Sequence, residues 1–120
     1  MHIDKDLVAA SATPLVLGIL ADGESYGYAI LKRVNELSGG RMQWTDGMLY
    51  PLLHRLERLG YVTSNWQSAD SGRRRKHYAI TDSGRAVFAE RRTQWAVVAD
   101  ALGQVWRSVE QPSAVAKGWV

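Results

Sequence analysis

The densest run of functional groups in the chain is Arg73, Arg74, Arg75 and Lys76, inside the stretch SADSGRRRKHYAITDSG. Adjacent cations neutralise phosphate oxygens, and the planar fork of arginine binds them bidentately. A second set lies upstream at helical spacing: Gly47, Tyr50, His54 and Arg58, with Arg55 on the flank and Thr45 and Met48 at the start of the same segment. Tyrosine and histidine donate or accept hydrogen bonds, arginine suits guanine or phosphate, and glycine lets a backbone approach closely. Chemistry of other kinds is not indicated. His2, His54 and His77 show no metal-ligand spacing, and there is neither a glycine-rich phosphate loop nor a nucleophile elbow. No catalytic residue, metal or cofactor is expected.

The charge distribution agrees with a polyanionic partner. Between Arg41 and Tyr78 seven Lys/Arg face three Asp/Glu, a local excess of +4 against +3 for all 120 residues. The chain lacks cysteine, which excludes disulfides and fits a reducing compartment. The opening MHIDKDLVAA has neither the basic start nor the apolar core of a secretory signal, and no apolar run is long enough to span a bilayer. A cytoplasmic, nucleoid-associated protein without membrane contact is expected.

Six elements must position these residues. A first helix is expected over roughly Asp6–Leu20, with Pro14 marking either a bend or a late start. Gly23 breaks it, and Ser25 reads as the N-cap of a second helix over Tyr26–Leu37, where Tyr26, Ile30, Val34 and Leu37 recur on one face. Gly39 or Gly40 ends that helix. Thr45 caps a third, whose Leu49, Leu52, Leu53, Leu56 and Leu59 form a dense apolar stripe before Gly60. Pro51 implies a start near Tyr50 or a distorted first turn. The segments YVTSNWQ and RKHYAIT alternate as strands around the turn SADSG, so the four cations fall at a hairpin tip. Trp66 is expected to seat this hairpin on the core, and Tyr26 and Tyr28 to pack the helix pair. Thr81 and Asp82 open a long last helix to about Val109, with Phe88, Trp95, Val98, Leu102 and Val105 on a three-four spacing that needs a partner surface. Residues 111–120 read as a tail.

Helix, helix, helix, strand, strand, long helix is the order of a winged helix–turn–helix, a mainly α fold with a small β-hairpin (α+β). At about 100° per residue the leucines of the third helix lie opposite Gly47, Tyr50, His54 and Arg58. The expected division is a DNA-binding domain over 1–80, a dimerisation helix over 81–110 and the tail. Taken alone, a basic run reads as a solvated loop; beside such a helix it reads as a wing reaching a minor groove or flanking phosphates.

The motifs SYGYAILKRV, GMLYPLLHRLERLGYV and GRRRKHYAITDSGR together resemble the PadR family of bacterial transcriptional regulators, from Leu15 to about Trp106 and in its compact branch. The resemblance implies a homodimeric repressor on a palindromic operator of double-stranded DNA. Its dimer interface would be formed by the last helix with help from the first, through Leu7, Phe88, Trp95, Val98, Leu102 and Val105. It also implies that Pro51 belongs to a working recognition helix. Some members hold flat aromatic ligands at that interface, which makes Trp95, Phe88 and Val98 a candidate effector site, with dimer packing as the plainer role for Trp95. Met48 departs from the resemblance, since family members more often carry Thr, Ser or Ala there. The alternative function is a helical dimer that binds a small molecule or a partner, with only incidental affinity for nucleic acid. RNA binding is disfavoured because no exposed aromatic platform is expected on the wing.

Overall fold

The computed structural model describes residues 1–111; the expected tail otherwise lies outside them. Contacts group Met1–Phe88 as one compact unit and the chain from Ala89 as a second.

Helix α1 spans Lys5–Ala21 and begins at Asp4, whose carboxylate accepts the Asp6 N–H at 2.9 Å. Pro14 lies inside it without ending it, so the helix does not start late. Thr13, Val16, Leu17 and Leu20 form its buried face. The chain then departs from the sequence-based expectation. Ser25–Tyr26 is a two-residue strand, β1, so the N-cap position of the next helix falls to Tyr26, without a side-chain capping bond, and not to Ser25. Its pairing explains this: Ser25 faces Tyr78 and Tyr26 faces His77 on a strand more than fifty residues away. Helix α2 therefore begins one residue later and runs Gly27–Leu37, burying Gly27, Ile30 and Val34. Leu37, expected on that face, is exposed instead.

The ends of α2 and of α3 (Asp46–Arg58) use the same device. After α2, Gly40 N–H reaches Asn35 O at 2.8 Å and Gly39 N–H reaches Glu36 O at 3.1 Å. After α3, Tyr61 N–H reaches Leu56 O at 2.9 Å and Gly60 N–H reaches Glu57 O at 3.0 Å. These are paired Schellman bonds, and they require the left-handed backbone that Gly39 (φ 61°) and Gly60 (φ 81°) supply. Leu59 thereby becomes the exposed C-cap of α3 and leaves the leucine stripe. Thr45 occupies the N-cap position with extended backbone, though its side chain makes no capping bond. Pro51 sits within α3 after a full turn begun at Asp46, so neither a late start nor a break is needed.

Strands β2 (Val62–Ser68) and β3 (Arg74–Ile80) form the antiparallel hairpin, in register from Val62↔Ile80 to Ser68↔Arg74. Its turn closes through Ala69 N–H to Arg73 O at 2.8 Å, with Gly72 at φ 83°. With β1 added, the sheet order is β1-β3-β2. Helix α4 spans Asp82–Glu110. Thr81 organises its start: its hydroxyl oxygen accepts the Gly84 N–H at 3.0 Å and donates to Gly60 O at 2.6 Å, tying the helix to the end of α3.

The core of the first unit lies where α1, α2, α3 and the inner face of the hairpin meet. Leu17, Ile30, Leu49 and Leu53 are fully buried there, closed by Val62 and Tyr78. Each such aliphatic side chain contributes about 1.5–3 kcal/mol by leaving water. Trp44, in the connection before α3, also joins the core, although no periodic pattern announces it. Among the described residues no helix is long and apolar enough to cross a membrane.

Candidate nucleic-acid interface

Burying the leucines of α3 forces the rest of that helix outward. Thr45, Gly47, Met48, Tyr50, His54, Arg55 and Arg58 are all exposed. They spread over a wide arc. Tyr50 and His54 turn toward the hairpin, their rings 6.5 Å apart. They share a cleft of about 720 Å³ with Arg73, Arg74, Arg75 and Lys76. Met48 and Arg55 lie on another flank, lining a hollow of about 330 Å³ with Val8, Ala12, Trp44 and Pro51. Thr45, Gly47 and Arg58 line neither.

Position within the cleft is set by one close approach. Gly27 is buried, and a Cβ there would collide with the Tyr50 hydroxyl. The absence of a side chain lets the Tyr50 ring lie across the start of α2, so α3 presents Tyr50 from a defined direction while leaving it partly exposed.

Strand alternation divides the cations. Arg73 belongs to the exposed turn, and the other three are in β3. Arg74 and Lys76 share a face with Tyr78, while Arg75 shares the opposite face with His77. Each strand cation has an aromatic neighbour. Arg74 lies over Trp66 at 5.5 Å, Arg75 over Tyr26 at 4.6 Å and Lys76 over Tyr78 at 5.7 Å. Such contacts hold the stems in place, and those of Arg74 and Arg75 leave the guanidinium charge available at the surface. On the far face Glu24 accepts from Gln67 at 2.9 Å and lies 3.9 Å from His77 Nδ1.

Three aromatic residues took other places than expected. Trp66 does not seat the hairpin on the core: it is 58% exposed, two residues beyond the Ser64–Tyr78 pair where the core ends. Tyr28 is 70% exposed on the first turn of α2 and lines the cleft, and so does Tyr26. The alternation of YVTSNWQ already put Trp66 on the face of Ser64, but not how far along that face the core extends. Tyr78 is buried, its hydroxyl lacks a hydrogen-bond partner among the described residues, and burial pushes its pKa above the usual 10.0, with the nearby Glu57 carboxylate and Tyr50 adding to the rise.

In the helix continuing past the sheet, the Phe88 ring packs on Gly18 of α1, where an added Cβ would lie 3.0 Å from it. In the second unit, Trp95 is half-buried, whereas Val98, Leu102 and Val105 are exposed.

A leucine-backed helix, the helix pair that presents it, and a basic hairpin beside it define a winged-helix DNA-binding regulator as the class. The chain belongs to the Transcriptional regulator PadR-like family, whose profile matches residues 16–90. It is 39% identical over 77 residues to transcriptional regulator Rv3488 of Mycobacterium tuberculosis, covering 64% of this chain and 68% of that one. Among solved structures it resembles a PadR family transcriptional regulator from Eggerthella lenta, with TM-score 0.73 and 34% identity over 83% of this chain and 85% of that one. It also resembles a transcriptional regulator from Clostridium thermocellum, with TM-score 0.76 and 25% identity over 83% and 97% of the two chains.

Proposed function

We propose that this regulator is a homodimeric, sequence-specific repressor that binds a palindromic operator in double-stranded DNA within the cytoplasm. The observation that carries the reading is the shared cleft: the polar edge of α3, through Tyr50 and His54, opens onto the same space as four consecutive cations of the wing. Residues 1–80 serve as the DNA-binding domain and 81–110 as the dimerisation element. The N-terminal half of α3 enters the major groove, with Thr45, Gly47, Met48, Tyr50 and His54 toward base edges and Arg55 and Arg58 toward phosphate or guanine. Arg73, Arg74 and Arg75 take flanking phosphates or the adjoining minor groove.

The second copy is assigned to the exposed stripe of α4, with Leu7 of α1, itself exposed, contributing. In that dimer two recognition helices stand about 34 Å apart, one turn of DNA. A planar aromatic effector is assigned to Trp95 and Val98. Phe88, already packed on Gly18, contributes less to such a platform than the sequence implied.

The test is a duplex-binding titration across salt concentrations. Wild-type protein should retain its operator over a scrambled duplex. Arg73→Glu with Arg75→Glu should weaken binding and flatten the salt dependence by about two phosphate contacts. Unchanged affinity would remove the wing from the mechanism. Quenching of tryptophan fluorescence by planar aromatic compounds, lost in Trp95→Ala, tests the effector.

A further inference from the structure

One acidic residue stands among the cations and has no evident place in a DNA-binding surface. Glu57, in the last turn of α3, accepts the Ser64 hydroxyl of β2 at 2.5 Å through Oε2. Its Oε1 lies 4.0 Å from Lys76 Nζ of β3. Ser64 pairs with Tyr78 and Trp66 with Lys76 in the hairpin register, so all four share the face that meets α3. Arg74, Arg75 and Lys76 all rest on aromatic rings, but among the described residues Lys76 is the one of the four consecutive cations also paired with a carboxylate. A carboxylate this close to incoming phosphates repels them, so what it supplies must lie elsewhere.

We infer that Glu57 is a positioning residue and specificity determinant that ties the recognition helix to the wing and withholds Lys76 from the phosphates. The Ser64 bond fixes the hairpin against the end of α3, which sets the distance between helix and wing. The Lys76 pair turns that ammonium inward, over the Tyr78 ring. The four-cation run thus presents three cations to DNA. A wing with one charge fewer and a fixed angle loses more affinity for random duplex than for the operator, whose groove matches that angle.

The inference rests on the DNA-binding reading, and the experiment separates the two. Operator and scrambled duplexes are titrated against salt with wild type, Arg73→Ala, Lys76→Ala, Glu57→Gln and the Glu57→Gln/Lys76→Ala pair. Arg73→Ala should reduce the slope of log affinity against log salt by about 0.9, the value of one phosphate contact. Lys76→Ala should leave the slope unchanged. Glu57→Gln should steepen it by about 0.9 by releasing Lys76, and raise scrambled-duplex affinity about threefold more than operator affinity. The double variant should return to the wild-type slope, a result that general loosening of the fold does not produce. A slope reduced by Lys76→Ala alone, or unmoved by Glu57→Gln, overturns the inference while leaving DNA binding intact. Absence of duplex binding by wild type overturns the functional reading instead. The tie is then decided on the free protein: amide exchange across Val62–Ile80 should quicken about fivefold in Ser64→Ala, whose charges are untouched, and unchanged exchange overturns the tie.

Discussion

Two helices in this molecule carry apolar stripes of the same kind, and the stripes meet opposite fates. In α3, Leu49 and Leu53 are fully buried, enclosed by other elements of the first unit. In α4 beyond Ala89, Leu102 is 43% exposed and Val105 is 58% exposed. Periodicity thus marks an apolar face without saying whether its own copy covers it. The first unit completes its core within one copy. The second unit has a stripe of Val98, Leu102 and Val105 that a single copy leaves in water, the stripe to which the second copy of the proposed dimer is assigned.

The largest expected effects break this comparison directly. Leu102→Asp with Val105→Asp places two charges in the proposed dimer contact while leaving the first unit untouched. Sedimentation should show monomer, and operator affinity should fall by about a hundredfold or more as paired half-site binding is lost. Leu53→Ala, at an equally apolar position of the other stripe, should act on folding instead, costing about 2–5 kcal/mol in urea unfolding. If the aspartate pair stays dimeric with full affinity, the exposed stripe is not the contact between copies.

Much of this division could be read from the residues, and what could not was set by long-range pairing. The α3 stripe up to Leu56, the glycine stops and the Thr81 start are local signals, and each falls where the sequence places it, whereas Leu59 leaves the stripe as the C-cap. Ser25–Tyr26 looked like a helix start because its strand partner, Tyr78 and His77, is remote in the chain. Trp66 looked like a core residue because alternation assigns a face but not the distance at which the core ends. Tyr28 looked like helix packing because helical spacing does not show which side of the first turn a cleft will occupy. Glu57 drew no expectation from its local pattern, and only the hairpin folding back gives it Ser64 and Lys76. In the candidate site, the wing cations and the polar edge of α3 were legible. Their separation into a Tyr50–His54 group beside the wing and a Met48–Arg55 group beside α1 was not.

Two glycines sharpen the contrast within the first unit. A Cβ on Gly84 would overlap the Tyr61 carbonyl, a backbone group already bonded to Thr81 N–H at 3.0 Å. Gly84→Ala should therefore cost about 1–3 kcal/mol in urea unfolding, because backbone has to shift. A Cβ on Gly27 meets the end of the Tyr50 side chain, which can rotate away. Gly27→Ala should cost less stability than Gly84→Ala yet weaken operator binding, since it moves Tyr50. Equal stability losses without a change in binding would detach Tyr50 from recognition.

The smallest expected effect concerns Tyr78, buried at the inner end of the wing. Its hydroxyl is buried and lacks a partner among the described residues, so the ring supplies the packing and the oxygen carries a desolvation cost. Tyr78→Phe should be neutral or stabilising by up to about 1 kcal/mol, unlike every other core substitution considered. The direction of its titration gives a second check. Burial, then the Glu57 charge, raises the pKa in the folded protein above the ordinary 10.0, so folding favours the protonated phenol. That contribution is fully present below pH 10.0 and is lost as pH rises through the higher folded value. Wild-type stability should consequently fall more steeply than that of Tyr78→Phe once the pH passes 10.0, and parallel alkaline curves would mean that the hydroxyl reaches water or an acceptor in solution. Because Glu57 contributes to the rise, Glu57→Gln should lessen the alkaline loss without abolishing it, linking this residue's titration to the same carboxylate that joins α3 to the wing.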